Sequence, residues 1–224
     1  MSRIIRLKIR RTSGWADFTV AVGNQAYVLD ALEAVWHQDR TLLFQHSCHH
    51  GSCGSCGVRI NGRERLACIT LLEDVSPGDQ PVRVEPLRNL PLLGDLLVDV
   101  HPVMDRIETL RLPPIRSVEP SLAAGAPSFT RFENCIECGL CVSACPIVGS
   151  DPLYWGPAAL AAAERVVAEP RGGNAATALE QVNCEQGVWR CHGVFECSEV
   201  CPADVDPARA IMILRRQLLR GERL

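Results

Sequence analysis

The cysteines of this chain fall at spacings that leave few ways to fold around them. Eleven of the twelve lie in three groups. The first runs Cys48-x4-Cys53-x2-Cys56-x11-Cys68. The second runs Cys135-x2-Cys138-x2-Cys141-x3-Cys145-Pro146. The third runs Cys191-x5-Cys197-x3-Cys201-Pro202. Disulfides and metal ligation compete to explain so many thiols. A chain of 224 residues, 47% hydrophobic, can bury a core without covalent staples. The start, Met1-Ser2-Arg3-Ile4-Ile5-Arg6-Leu7, alternates charged and apolar residues and lacks the apolar stretch of a signal peptide. The chain is therefore expected in a reducing compartment, where cysteines serve as ligands.

Each group then reads as a different centre. Cys-x4-Cys-x2-Cys with a distant fourth cysteine is the plant-type [2Fe–2S] spacing. Glycines between and beside the ligands let backbone N–H groups approach the sulfurs. The alternatives are a four-thiolate zinc site and a Rieske arrangement using His46, His49 and His50. Zinc knuckles place their thiols in two separated pairs, whereas three lie together here. With four cysteines at full spacing, the histidines read as ordinary loop residues.

The second group matches the bacterial two-cluster run, in which the fourth cysteine ligates the other cluster. By that rule Cys135, Cys138, Cys141 and Cys201 hold a [4Fe–4S] centre, while Cys145 joins Cys191 and Cys197. A complete second motif would carry a cysteine at position 194, where the chain has Val194. Three thiolates predict a [3Fe–4S] centre with Val194 capping the vacant corner. Its lower thiolate charge predicts a higher potential. The alternative is that water, hydroxide or His192 fills the vacancy and retains four irons. Cys184 fits no group and is expected to be a buried structural cysteine.

Periodicity places these groups on two kinds of scaffold. Segments 3–10 and 17–22 alternate as strands around a turn at Thr12-Ser13-Gly14-Trp15. Tyr27 to Gln38 reads as a helix, with Val28, Leu32, Val35 and Trp36 at helical spacing. The segment from Cys48 to Gly57 cannot be regular structure. Asn61-Gly62 signals a hairpin after Val58-Arg59-Ile60, with Arg65 to Cys68 starting the return strand. Val82 to Glu85 is a further strand. Beyond residue 98 no strand is evident. Helices are expected over 98–110, from Pro157, from an Asn174 cap, and from Asp206-Pro207, with a proline-rich extended connection over 113–128. The fold class is α+β, with a sheet domain over 1–97 and a helical domain over 98–224.

Together these motifs resemble the iron–sulfur subunit of succinate dehydrogenase and fumarate reductase. The specific matches are Ser47 through Cys56, Leu66-Ala67-Cys68, Cys135 through Cys141, Cys145-Pro146 through Ala159, and Arg190-Cys191-His192 through Pro202. The resemblance implies a β-grasp plant-type ferredoxin domain followed by an all-α bacterial-ferredoxin-like domain. It implies a flavoprotein partner that oxidises succinate on FAD, and membrane anchor subunits with a quinone site and any haem. Electrons would pass from FAD through [2Fe–2S], [4Fe–4S] and [3Fe–4S] to quinone, as in the respiratory chain and tricarboxylic acid cycle. The subunit would sit on the cytoplasmic face of the inner (plasma) membrane. The positions mapping to the quinone pocket are Pro146, His192, Val194 and Arg215. For His192 the alternative is a loop cap, and for Arg215 a solvated helix charge. Ubiquinone-reducing members carry a Trp after the Cys-Pro, where this chain has Ile147-Val148-Gly149-Ser150. That difference favours menaquinone and leaves a menaquinol:fumarate reductase subunit as the alternative.

Composition narrows the field further. A net charge of −3 gives no case for nucleic-acid binding. No apolar run approaches the roughly 20 residues needed to span a bilayer. The chain holds no candidate dicarboxylate or FAD site, so its part is electron transfer. An iron–sulfur subunit of a soluble dehydrogenase or heterodisulfide-reductase-like complex would normally show two complete Cys-Pro motifs, and Val194 argues against it.

Overall fold

The computed structural model describes residues 2–110, 134–168 and 175–221. The expected proline-rich connection over 113–128 and the Asn174 cap lie outside the described residues. The chain divides into two compact units. One runs to Val100 and also takes in Ile136–Leu140; the other takes the remainder from His101 onward.

The first unit is built on strand β1 (Ser2–Arg11). Its alternation buries Ile5, Leu7 and Ile9 and turns Arg6, Lys8 and Arg10 outward. Strand β2 (Gly14–Gly23) returns antiparallel to it, with Ile5 opposite Val20. Helix α1 (Val28–Gln38) follows, and the Asp30 carboxylate accepts the Tyr27 N–H at its start. Val28, Leu29, Ala31, Leu32 and Val35 form its buried face. Strands β3 (Gly57–Ile60) and β4 (Arg63–Leu66) make the hairpin expected from Asn61-Gly62. Both turn residues have positive φ, 50° and 86°, as a tight primed turn demands. A short helix, α2 (Leu72–Val75), leads to strand β5 (Val82–Glu85), and β6 (Leu92–Gly94) pairs with β7 (Leu97–Val98). The main sheet has the order β2-β1-β5-β3-β4. Its β1–β5 pair is parallel, which requires the crossover that α1 belongs to.

Two boundaries differ from expectation. Cys68 does not lie on the return strand: β4 ends at Leu66, and Ala67–Ile69 form a 3₁₀ turn that carries the cysteine. Val98 pairs in a strand, so helix α3 begins later, at His101–Thr109.

In the second unit, α4 (Leu140–Ala144) and α5 (Pro146–Ser150) flank Cys145. Helix α6 (Gly156–Ala168) is buried from Gly156 through Ala163 on every side. A helix apolar all round belongs at the centre of its unit, and α3, α7 (Ala175–Val182) and the last helix (Pro207–Arg220) all pack on α6. After α8 (Glu196–Glu199), α9 (Pro207–Arg220) is capped by Asp206, whose carboxylate accepts the Arg209 N–H. Among the described residues none after Val98 lies in a strand, and no helix is long and apolar enough to cross a membrane.

Candidate iron–sulfur sites

None of the twelve cysteines is held in a disulfide, so the thiols are available as ligands. In the first site the loop from Cys48 to Cys56 has no regular structure and folds back on its own sulfurs. The N–H groups of Ser52 and Cys53 both donate to Cys48 Sγ at 3.3 Å, and that of Gly51 donates to Cys68 Sγ at 3.2 Å. The Sγ atoms of Cys56 and Cys68 lie 3.2 Å apart. Backbone donors aimed at sulfur stabilise negative charge there, which is what a thiolate-ligated cluster needs.

The thiols of this site divide by environment. The His50 N–H above all, with those of Ser52 and Cys53, draws Cys48 down to about 6. Hydrogen bonding to Ser55 lowers Cys53. Burial, reinforced by Cys68, pushes Cys56 up to about 12. Half-buried Cys48 and exposed Cys53 thus ionise readily, while buried Cys56 resists charging without a cation. Iron supplies that cation, so the donor set fits a cluster. The loop also lies against residues 136–138. A Cβ at Gly54, whose φ is +74°, would sit 2.7 Å from the Ile136 carbonyl oxygen and 2.8 Å from Cys138 Cβ.

The three histidines of this loop play separate roles. His50 Nδ1 bonds the Cys48 carbonyl. His46 and His49 turn toward each other, 3.0 Å apart.

For the second site, Cys135 and Cys201 pack with Ala203 against the same small core of Ala161, Val205 and Ala210. The Val205 N–H donates to Cys201 Sγ at 3.3 Å. Cys141 opens the second unit's share of α4, and Cys138 belongs to the first unit with Ile136–Leu140.

The third site is a partly open cavity of the second unit, about 340 Å³ including the solvent at its mouth. Cys145, Cys191 and Cys197 line it, and Pro146, His192 and Val194 share the wall. Burial raises Cys145, and burial with the charges of Cys145 and Cys191 pushes Cys197 up to about 12. Three thiols around one void, whose ionised forms would repel one another, suit a cationic cluster that offsets that charge. Val194 is 51% exposed, so the side chain at the missing-ligand position leaves one flank of the void open.

Arg215 is not in that wall. Its Nε donates to the Val188 carbonyl at 2.8 Å, and an Nη donates to the Cys191 carbonyl. It is therefore not a solvated helix charge: it tethers the turn that presents Cys191. His192 is exposed and lines the cavity. Cys184 is half-buried rather than buried, with its thiol directed at the Gln181 carbonyl at 3.6 Å.

The residue that spacing overlooked is Tyr154. It is 1% exposed, lines the third cavity and hydrogen-bonds Cys191; burial first, then the neighbouring thiols, raises its phenol. Its position is fixed by Arg106, which donates to the carbonyls of Tyr154 at 2.8 Å and Pro152 at 2.7 Å. The Trp155 N–H also donates to Gln186 O at 2.9 Å, and Arg190 pairs with Asp151 at 2.9 Å. The available signal was an aromatic pair a few residues after the Cys-Pro, which no ligand rule addresses.

Comparison with known proteins agrees with this geometry. Residues 2–105 match the family described as a 2Fe-2S iron-sulfur cluster binding domain, and residues 131–205 match a 4Fe-4S dicluster domain. A fumarate reductase iron-sulfur subunit of Mycobacterium tuberculosis is 40% identical, covering 92% of this chain and 86% of the relative. One from Haemophilus influenzae is 36% identical, covering 88% and 83%. A succinate dehydrogenase iron-sulfur subunit of Coxiella burnetii is 31% identical, covering 86% and 84%. A solved chain titled Mycobacterium smegmatis Sdh1 complex in the apo form superposes with a TM-score of 0.84 at 23% identity, covering 99% of this chain and 98% of that one. With [2Fe–2S] and [4Fe–4S] binding domains and relatives matched over most of their length, the chain belongs to the family of fumarate reductase and succinate dehydrogenase iron–sulfur subunits.

Proposed function

We propose that this chain is the electron-transfer subunit of a succinate:quinone oxidoreductase, working between the FAD of a flavoprotein partner and membrane quinone. The main sheet is read as a β-grasp ferredoxin domain, and the second unit as an all-α, bacterial-ferredoxin-like domain. Cys48, Cys53, Cys56 and Cys68 hold [2Fe–2S]; Cys135, Cys138, Cys141 and Cys201 hold [4Fe–4S]; Cys145, Cys191 and Cys197 hold [3Fe–4S]. When bound, the clusters supply one-electron chemistry that amino-acid side chains lack. The chain's own residues set the conditions. Backbone N–H groups at Cys48 and Cys68 favour negative charge on sulfur. Burial of Cys56, Cys145 and Cys197 excludes water, and the Arg215 tether fixes the Cys191 loop.

The three-iron reading is supported by one observation. Three cysteines share a cavity wall with Val194, which occupies the place of a fourth thiolate. Val194, His192 and Pro146, with Arg215 behind the Cys191 turn, are then the quinone-proximal groups, with menaquinone favoured by Ile147-Val148-Gly149-Ser150. Anchor subunits hold the chain peripherally at the cytoplasmic face of the inner membrane. The second reading, menaquinol:fumarate reductase, uses the same residues in the opposite direction; the Mycobacterium tuberculosis and Haemophilus influenzae relatives carry that name, and the Coxiella burnetii relative carries the first.

EPR of the oxidised protein tests the third centre. The wild type should show a three-iron signal, and Val194→Cys should replace it with a diamagnetic four-iron centre of lower potential. A wild-type centre already diamagnetic when oxidised would refute the assignment. Zinc in place of roughly nine irons would refute the redox reading altogether.

A further inference from the structure

Among the described residues, Glu33, His46 and His49 bring three metal-ligating atoms to one point outside the cysteine sites. His46 Nδ1 lies 3.0 Å from His49 Nε2 and 3.5 Å from Glu33 Oε1, and His49 Nε2 lies 3.4 Å from that same oxygen. Three atoms thus form a nearly equilateral triangle. An ion held about 2.0–2.1 Å from N and O ligands in tetrahedral geometry sets those ligands roughly 3.3–3.4 Å apart. The triangle has the size of one face of such a site.

Protons alone serve this arrangement poorly. A proton on one ring nitrogen joins one edge of the triangle, whereas a divalent ion attracts all three corners at once. The corners come from independently fixed elements. Glu33 stands on α1, whose start is capped. The His46 ring stacks on Phe44 with centroids 5.2 Å apart and planes at 21°. His49 is in the left-handed backbone region, φ 62°, while His50, next in sequence, is turned away to the Cys48 carbonyl. All three ligand side chains remain partly exposed, which leaves a fourth position open to water.

We propose that Glu33, His46 and His49 form an open binding site for a zinc-class divalent cation, separate from the iron–sulfur clusters. Two imidazoles and one carboxylate suit borderline first-row ions rather than Mg²⁺ or Ca²⁺, which prefer oxygen-rich sets. The site does not depend on which clusters the cysteines carry.

The test uses the full, cluster-loaded protein, so that the cysteines are already occupied. Zn²⁺ is titrated against a chromophoric chelator, and the visible spectrum of the clusters is followed in parallel. The expected result is one Zn²⁺ per chain with the cluster spectrum intact. Affinity should fall at least tenfold in both His46→Ala and Glu33→Gln and be unchanged in His50→Ala. Absence of stoichiometric Zn²⁺ binding overturns the proposal. So does binding that His46→Ala and Glu33→Gln leave unaltered, or that His50→Ala abolishes equally. Loss of cluster absorbance on titration, with zinc displacing iron, counts against it as well. Because Glu33→Gln preserves side-chain size, loss of zinc binding by that variant with its clusters retained cannot be ascribed to misfolding.

Discussion

Replacing Gly54 by alanine tests how tightly the first cluster loop is built. Two costs arise at this position. The residue has φ +74°, and an L side chain in the left-handed region costs about 1–2 kcal/mol. The added Cβ would also fall 2.7 Å from the Ile136 carbonyl oxygen, 2.8 Å from Cys138 Cβ and 3.0 Å from Cys138 Cα. None of these atoms is the free end of a flexible chain, so backbone must shift, at a typical overpacking cost of about 1–3 kcal/mol. Together the variant should lose about 2–5 kcal/mol. At about 4–8 °C per kcal/mol for a domain of this size, unfolding should come roughly 10 °C or more earlier. Gly78→Ala is the control: its φ is +61°, but nothing lies within 4 Å of its Cβ. It bears the strain without the clash. Thermal unfolding followed by circular dichroism and by the reduced-state EPR of the [2Fe–2S] centre would compare the two. Gly54→Ala should be less stable than Gly78→Ala by about 1–3 kcal/mol and should lose iron from the first site. Equal stability of the two variants, within about 0.5 kcal/mol, would refute the claimed close approach of loop and residues 136–138.

Two further outcomes are expected. Asp95 is a buried carboxylate that accepts the N–H groups of Thr12 at 2.9 Å and Leu43 at 3.0 Å and pairs with Arg11 at 3.0 Å. Burial opposes its charge, but these partners hold its acidity below the usual carboxylate range. A depressed folded-state value means that the carboxylate stabilises the fold above about pH 4, its unfolded value, and less as pH falls toward the folded one. Asp95→Asn should therefore be less stable than wild type at pH 7 by about 1.5–3 kcal/mol, with the gap closing below about pH 4; a gap that widens on acidification would contradict the assignment. Tyr154→Phe should lower the midpoint potential of the third centre by about 20–60 mV, the one-electron equivalent of a hydrogen bond to sulfur worth about 0.5–1.5 kcal/mol. Redox titration by EPR would measure it, and an unchanged potential would mean that Tyr154 serves packing alone.

The family and most of the scaffold were legible in the residues because both rest on local rules. Ligand spacing is a short-range quantity, since a cluster must be wrapped by a loop of fixed length. Strand alternation at Ile5, Leu7 and Ile9, the Asn61-Gly62 turn, and the Asp206-Pro207 helix start depend likewise on neighbours within a few positions. Tertiary structure decided what depends on distant partners. Cys68 sits on a 3₁₀ turn because β4 ends at Leu66, two residues before it. Arg215 tethers carbonyls more than 20 residues away in sequence, instead of standing as a solvated helix charge. Tyr154 enters the third site through the pull of Arg106 on its carbonyl, 48 positions removed. His46 and His49 read as loop residues until α1 brings Glu33 to them. The sequence by itself determined which thiols group together and which kind of fold carries them, because spacing and periodicity are local. Only the folded chain decided what surrounds those thiols, because burial and convergent side chains come from residues that no pattern links.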